Sequence, residues 1–130
     1  LEVVSYEIDC MVQEYCRVYG VPYANYSRTS WFTMFGKGDY AHVHNHTSSS
    51  ISGCYYYQTN NQDGNIFFKC PISAMSANPA WTNMSMSYEI QPQVGKMILF
   101  PGWLDHGVRT NNTDDIRISL AFNIDFDYRT

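Results

Sequence analysis

From Thr29 onward the chain never offers a long uninterrupted segment. It breaks into short runs of aromatic and β-branched residues, SWFTMF, YAHVHNH, ISGCYYYQ, NIFFK, MSYEIQ, KMILF, DHGVRT and IRISLAFNI, separated by Gly, Asn, Ser and Pro. Each run has the length of a strand, and a close series of strands punctuated by turn residues predicts a β-sandwich or small barrel. Ahead of them, residues 3–19 carry Val4, Ile8, Met11, Tyr15 and Val18 at helical spacing, with Gly20 and Pro22 as a stop signal. One amphipathic helix is therefore expected before the strands. The stretch 71–85, PISAMSANPAWTNMS, has no clear period and reads as a long loop. With 130 residues, no internal repeat and no linker, the chain is expected to form a single domain, 1–130, with one core and one site.

The last strand has two unlike faces. Ile116, Ile118, Leu120, Phe122 and Ile124 share one; Arg117, Ser119, Ala121 and Asn123 share the other, because side chains alternate across a strand. If the apolar face packs on a core, Arg117 and Ser119 look into something else. A buried guanidinium then needs a partner, an internal carboxylate or one brought by a ligand, because an unpaired buried charge costs several kcal/mol. On this strand alone, a solvated Arg117 on an exposed face is an equally good reading.

The formal net charge is -4, and the 8 Lys plus Arg are scattered. That argues against a nucleic-acid or anionic-membrane surface and for a small-molecule or peptide partner. No apolar run approaches the roughly 18 residues of a membrane span, and the first residues, LEVVSYEID, lack the basic start and apolar stretch of a secretory leader. Cys10, Cys16, Cys54 and Cys70 show no CxxC spacing. They read as small apolar residues of a reducing, cytoplasmic compartment.

Three of the four histidines alternate at His42, His44 and His46. On one strand face, imidazoles at i and i+2 have Cβ atoms roughly 6 to 7 Å apart, near enough for two to share a metal ion. A third from the same strand is one too many for a single ion. His106, in FPGWLDHGV on another expected strand, is the remaining candidate ligand. Two neighbouring ligands and one distant one make a three-ligand site with positions left open for substrate and oxygen. Exposed histidines without a metal are the plainer alternative.

The runs WFTMFGKGDYAHVHNHTSSSISGCYYY, VGKMILFPGWLDHGV and RISLAFNI resemble the Fe(II)- and 2-oxoglutarate-dependent oxygenases, in particular a short branch common in phages and marine bacteria and similar to the prolyl hydroxylases. The resemblance covers roughly residues 30 to 125 and implies a mainly β fold, a double-stranded β-helix (jelly roll, cupin-like), behind the N-terminal helix. It also implies Fe(II) as cofactor, 2-oxoglutarate as cosubstrate and dioxygen as co-reactant. The implied reaction is hydroxylation of an unidentified substrate, prolyl or peptidyl as first guess, with release of succinate and carbon dioxide.

Position by position, ISGCYYY follows His46 as a similar strand follows the metal pair in that family, so His44 and His46 match the pair and His106 the distal ligand. Arg117 matches the arginine that clamps the cosubstrate, Ser119 completes an Arg-x-Ser arrangement, and Tyr56 matches a tyrosine that reaches the same carboxylate; an aromatic at such a position also suits a core. His42 is left as a neighbour or substrate-side residue. Trp81, in the irregular loop with Met75, Met84 and Met86 nearby, is a candidate lid or substrate contact, whereas Trp31 and Trp103 are expected in the core. One departure stands out: His46 occupies the place where most of the superfamily has a carboxylate, and neither Asp39 nor Asp105 is placed to replace it. Two further readings follow. In one, this is a three-histidine cupin-type dioxygenase or isomerase that does not use 2-oxoglutarate; in the other, a jelly-roll binding module without catalysis.

Overall fold

A computed structural model of the chain describes residues 1–72, 74, 77–80 and 88–128. Helix α1, Glu2–Tyr19, stops at Gly20, whose φ of 66° is left-handed and whose N–H donates to the Cys16 carbonyl. Glycine adopts that conformation without a Cβ penalty, which makes it a ready helix terminator. Among the described residues the strands are β1 (Tyr26–Phe35), β2 (Ala41–His44), β3 (Ile51–Gln58), β4 (Ile66–Phe68), β5 (Tyr88–Ile90), β6 (Met97–Pro101), β7 (His106–Val108) and β8 (Arg117–Phe126). Each overlaps one of the runs expected from the sequence. They pair antiparallel into two sheets, ordered β1-β8-β3-β6 and β2-β7-β4-β5, the arrangement of a jelly roll.

The two faces of β8 explain how the layers stack. Leu120, Phe122 and Ile124 pack with Ile51 against Ile8 and Val12 of α1, so the helix covers the outer face of the first sheet. The opposite face turns inward, where Tyr56, Ile66, Phe68, Ile98 and Phe100 form a second cluster. Arg117 (3% exposed) and Ser119 are buried on that side. A Cβ on Gly53 would lie 2.4 Å from the Phe122 ring and 2.7 Å from the Ile98 carbonyl oxygen, so only glycine lets the central strands pack this closely.

Three details differ from the sequence reading. The buried helix stripe is Ile8, Val12 and Cys16, and Met11 and Val18 are exposed, because a stripe spaced by four drifts from the positions that a three-then-four count selects. Trp31 is 38% and Trp103 56% exposed rather than core; Trp31 lies on the inward parity of an edge strand, and Trp103 at a turn. Cys10 is exposed, while Cys16 is buried and Cys54 and Cys70 are half-buried, all four as free thiols. Part of the 71–85 stretch, including Met75, Trp81 and Met84, lies outside the described residues, as does Met86 just after it. No helix among the described residues is long and apolar enough to cross a membrane.

Because Ile8 is fully buried on the outer side of the sheet, Ile8→Ala is expected to destabilise the fold by about 2 to 4 kcal/mol. Urea denaturation should show the lower midpoint, and metal stoichiometry at the inner face should stay unchanged.

Candidate active site

The strand register assembles the interior as a grid. On the inward face of β8, Arg117 stands opposite Phe35, Ser119 opposite Thr33 and Ala121 opposite Trp31 of β1. On the other side, Ser119 faces Tyr56, Ala121 faces Cys54 and Asn123 faces Ser52 of β3. These side chains form one wall of a cavity of about 180 Å³, and His44, His46, His106 and Val108 of the second sheet and its loops contribute to the other. Among the described residues, no carboxylate lines it.

His44, His46 and His106 converge there, with ligand nitrogens within 4.8 Å of one another. Ring centroids are 4.4 Å apart for His44 and His106, 5.0 Å for His44 and His46, and 5.4 Å for His46 and His106. Nitrogens about 2.1 Å from one ion sit roughly 3 to 4 Å apart, so the set is somewhat open, with His44 its exposed member.

Backbone contacts orient the rings. Nδ1–H of His44 donates to the His42 carbonyl at 2.6 Å, and Nδ1–H of His106 to the Leu104 carbonyl at 2.9 Å. A carbonyl only accepts, so both rings carry their proton on Nδ1 and offer the Nε2 lone pair. Burial pushes His106 down to about 4, and burial reinforced by His44 lowers His46. All this favours neutral imidazole, the form that binds a divalent metal.

Strand alternation does not carry all three clustered residues of the 42–46 run to one site. β2 ends at His44 after a register shift against β7. His46 lies in the following turn, where its N–H donates to the Gly102 carbonyl at 2.8 Å. A Cβ on Gly102 would fall 2.1 Å from the Ser49 carbonyl oxygen and 2.7 Å from that of His46, so the FPGW turn needs glycine to seat this ligand. Asn45 Nδ2 donates to Asp105 Oδ1 at 2.8 Å, tying together the two ligand-bearing segments. Asp105 is thereby engaged away from the cluster. His42 stays out of the group and stacks edge-on with Tyr40, ring centroids 4.9 Å apart.

Arg117 lies deeper in the same cavity. Its Nη1 donates to the Gly64 carbonyl at 2.9 Å, and its guanidinium carbon is 4.6 Å from the Phe35 ring centroid and 5.9 Å from that of Tyr56. Its Nε is buried without a hydrogen-bond partner, and no ion pair joins it to any described residue. Buried donors are rarely left so; this one fits an incoming acceptor. Ser119 Oγ is 2.7 Å from Thr33 Oγ1, a partner that only the β1–β8 register reveals. Burial, then the neighbouring Cys54, pushes the Tyr56 phenol far up, so its O–H remains a donor. The donor set thus fits a divalent ion at one end and a carboxylate at the other.

A jelly roll with three converging imidazoles and a buried, incompletely bonded arginine defines a class of metal-dependent oxygenase-like proteins. Within it, residues 29–123 match the family described as "Putative 2OG-Fe(II) oxygenase". The chain belongs to this family of 2-oxoglutarate- and Fe(II)-dependent enzymes. Solved structures with the same fold include a Pseudomonas putida prolyl-4-hydroxylase, at TM-score 0.64 and 12% identity over 92% of this chain and 63% of that one. A 2OG-Fe(II) oxygenase family oxidoreductase from Burkholderia pseudomallei aligns at TM-score 0.65 and 16% identity over 85% of this chain and 48% of that one. HygX from Streptomyces hygroscopicus, solved with nickel and 2-oxoglutarate bound, aligns at TM-score 0.59 and 14% identity, over 82% of this chain and 60% of that one. The chain thus spans less than two thirds of each. No curated protein sequence matches it.

Separate His44→Ala and His106→Ala substitutions should each abolish one-to-one binding of Co(II) or Fe(II) in an anaerobic titration, whereas His42→Ala should retain it. Equal loss in all three would remove His42 from the outside of the site.

Proposed function

We propose that this chain is a non-haem Fe(II)- and 2-oxoglutarate-dependent dioxygenase that hydroxylates a small-molecule or peptide substrate, releasing succinate and carbon dioxide. The observation that carries this reading is the pairing, in one cavity without an acid among its described lining residues, of three converging imidazoles with a buried arginine whose Nε is unbonded. His44, His46 and His106 would hold the metal through Nε2 of His44 and His106 and a ring nitrogen of His46. When bound, the iron and 2-oxoglutarate supply oxidation by dioxygen of an otherwise inert C–H bond.

The remaining work belongs to the side chains. Arg117 offers the planar donor fork that a carboxylate accepts, stronger than a neutral hydrogen bond and more directional than a lysine. Ser119 and Tyr56 add hydroxyl donors on the same grid. Phe35, Phe100 and Ile66 keep the cavity apolar between its two polar ends, which strengthens every electrostatic contact inside it. Trp31, half-exposed and lining the cavity, is suited to meet a substrate at the mouth. By analogy with the prolyl-4-hydroxylase whose fold it shares, a prolyl or peptidyl substrate is the first to test. His42, exposed and two residues before His44, remains a candidate substrate contact, and the free cysteines suit a cytoplasmic setting.

A second reading draws on one specific observation, the absence of a carboxylate among the metal-ligand candidates. In it, the three histidines serve a cupin-type dioxygenase or isomerase that does not use 2-oxoglutarate, and Arg117 binds the substrate's own anionic group.

Anaerobic addition of Fe(II) and then 2-oxoglutarate to the metal-free protein should produce a visible charge-transfer band at one-to-one stoichiometry. Arg117→Ala should weaken 2-oxoglutarate binding at least about tenfold, the scale of a lost charge-assisted pair, without changing Fe(II) stoichiometry. Fe(II) binding with no band in the native protein would favour the second reading.

A further inference from the structure

Asp63 is 0% exposed and is the buried carboxylate among the described residues. It lies one residue before Gly64, whose carbonyl holds Arg117, and its own carbonyl oxygen is 3.5 Å from the same Nη1. Yet its carboxylate does not form an ion pair with the guanidinium. Oδ1 accepts from Thr59 Oγ1 at 2.7 Å, and Oδ2 from the Asn60 N–H at 3.0 Å. The loop that these bonds shape is fastened on both sides. Asn60 Nδ2 donates to Thr113 Oγ1 and Asp115 Oδ2 at 3.0 and 2.9 Å, and Gln91 Nε2 to the Asn61 carbonyl at 2.8 Å. Gly64 has φ 113°, and a Cβ there would meet the Arg109 carbonyl oxygen at 2.3 Å. The side chain of Asp63 is thus prevented from folding back onto Arg117, while its backbone grips it.

Two opposite charges lie buried a short way apart with no direct bond between them. Both act on the Tyr56 phenol beyond the burial that dominates its upward shift, Arg117 lowering it and Asp63 raising it. We infer that Asp63 is a positioning residue and counter-charge for Arg117: it balances the cation in the empty cavity while leaving the guanidinium fork open, and so limits how tightly a dicarboxylate binds there. A direct Asp63–Arg117 pair would occupy the donors that a ligand needs. With no negative charge nearby, the buried cation would destabilise the empty protein. The inference rests on the 2-oxoglutarate reading given above.

The sign of one substitution separates this role from a purely structural one. Asp63→Asn keeps the size and one acceptor for the Asn60 N–H, and Thr59 Oγ1 can accept from the new amide, so the loop retains its anchors. What is lost is the negative charge. In anaerobic Fe(II)-loaded protein, Asp63→Asn should bind 2-oxoglutarate about three- to tenfold tighter, the scale of removing one charge at several ångströms in a protein interior. Pyruvate, which has the metal-binding end but no far carboxylate, should bind both proteins alike. The ligand-free variant should melt lower than the native protein and gain more from added 2-oxoglutarate. Asp63→Ala, which also removes the loop anchors, should weaken 2-oxoglutarate binding. Unchanged or weaker 2-oxoglutarate binding in Asp63→Asn, or an equal gain for pyruvate, overturns the counter-charge role alone. Failure of the native protein to bind 2-oxoglutarate overturns both this inference and the reading on which it rests.

Discussion

A guanidinium in the middle of a small β-sandwich is the most demanding group this chain has to accommodate, and much of the interior is arranged around it. Arg117 is almost fully buried, and removing a cation from water costs several kcal/mol even after the protein relaxes. The compensation is distributed. The Gly64 carbonyl takes one hydrogen bond, and the Phe35 and Tyr56 rings border the guanidinium, each within the range of a cation–π attraction. Nε remains unbonded. A fold that places a charge here and leaves part of its donor capacity unused draws its stability from two apolar clusters, one on the far side of the same strand and one beside the cavity itself.

That separation follows from strand alternation. One set of β8 side chains binds α1 to the first sheet, and the next set faces the cavity, so the stabilising core and the functional surface are opposite sides of the same ten residues. The two sheets divide the chemistry as well. The first supplies Arg117, Ser119 and Tyr56 from its central strands. The second supplies the histidines from β2, β7 and the turn after β2. Strands fix the position of a side chain more firmly than loops do. The arginine end is therefore the more rigid half, and the histidine end, with His44 exposed and His46 in a turn, depends on the Gly102 and Asn45–Asp105 contacts to keep its imidazoles together.

Much of this was legible in the sequence because periodicity and turn residues are local signals. The strands fall in the runs that alternation and punctuation pick out, and the two-faced pattern of IRISLAFNI already separates Arg117 from the core. The choice of His44 and His46 over His42 came from the resemblance, not from alternation, which treats all three alike. The bulge that ends the regularity of β2 depends on pairing with β7, sixty residues away in the chain, and no local pattern encodes it. Thr33 beside Ser119 was invisible for the same reason, since it needs the β1–β8 register. Trp31 and Trp103 were misjudged because hydrophobicity alone cannot distinguish an aromatic that fills a core from one at the rim of a cavity. Asp63 gave no signal either: TNNQDGN reads as a polar turn, and only folding reveals that its carboxylate is fully buried and held by Thr59 and Asn60.

If His46 serves as the third ligand in place of a carboxylate, as proposed, the electrostatics of the whole cavity follow from that exchange. With three imidazoles as the candidate ligands and no acid on the walls among the described residues, a divalent ion bound here would keep its full charge, and Arg117 adds another at the far end. Asp63 offsets part of that from behind, but it cannot reach the cavity. Most of the negative charge that makes the loaded site neutral must therefore arrive with the ligand. A molecule with carboxylates at both ends supplies it at the two points where the cavity is positive, and an apolar stretch between them suits the walls. With the proposed metal in place, such a site would discriminate by charge before it discriminates by shape, because a neutral or singly charged occupant would leave one cation in a low-dielectric interior without a partner.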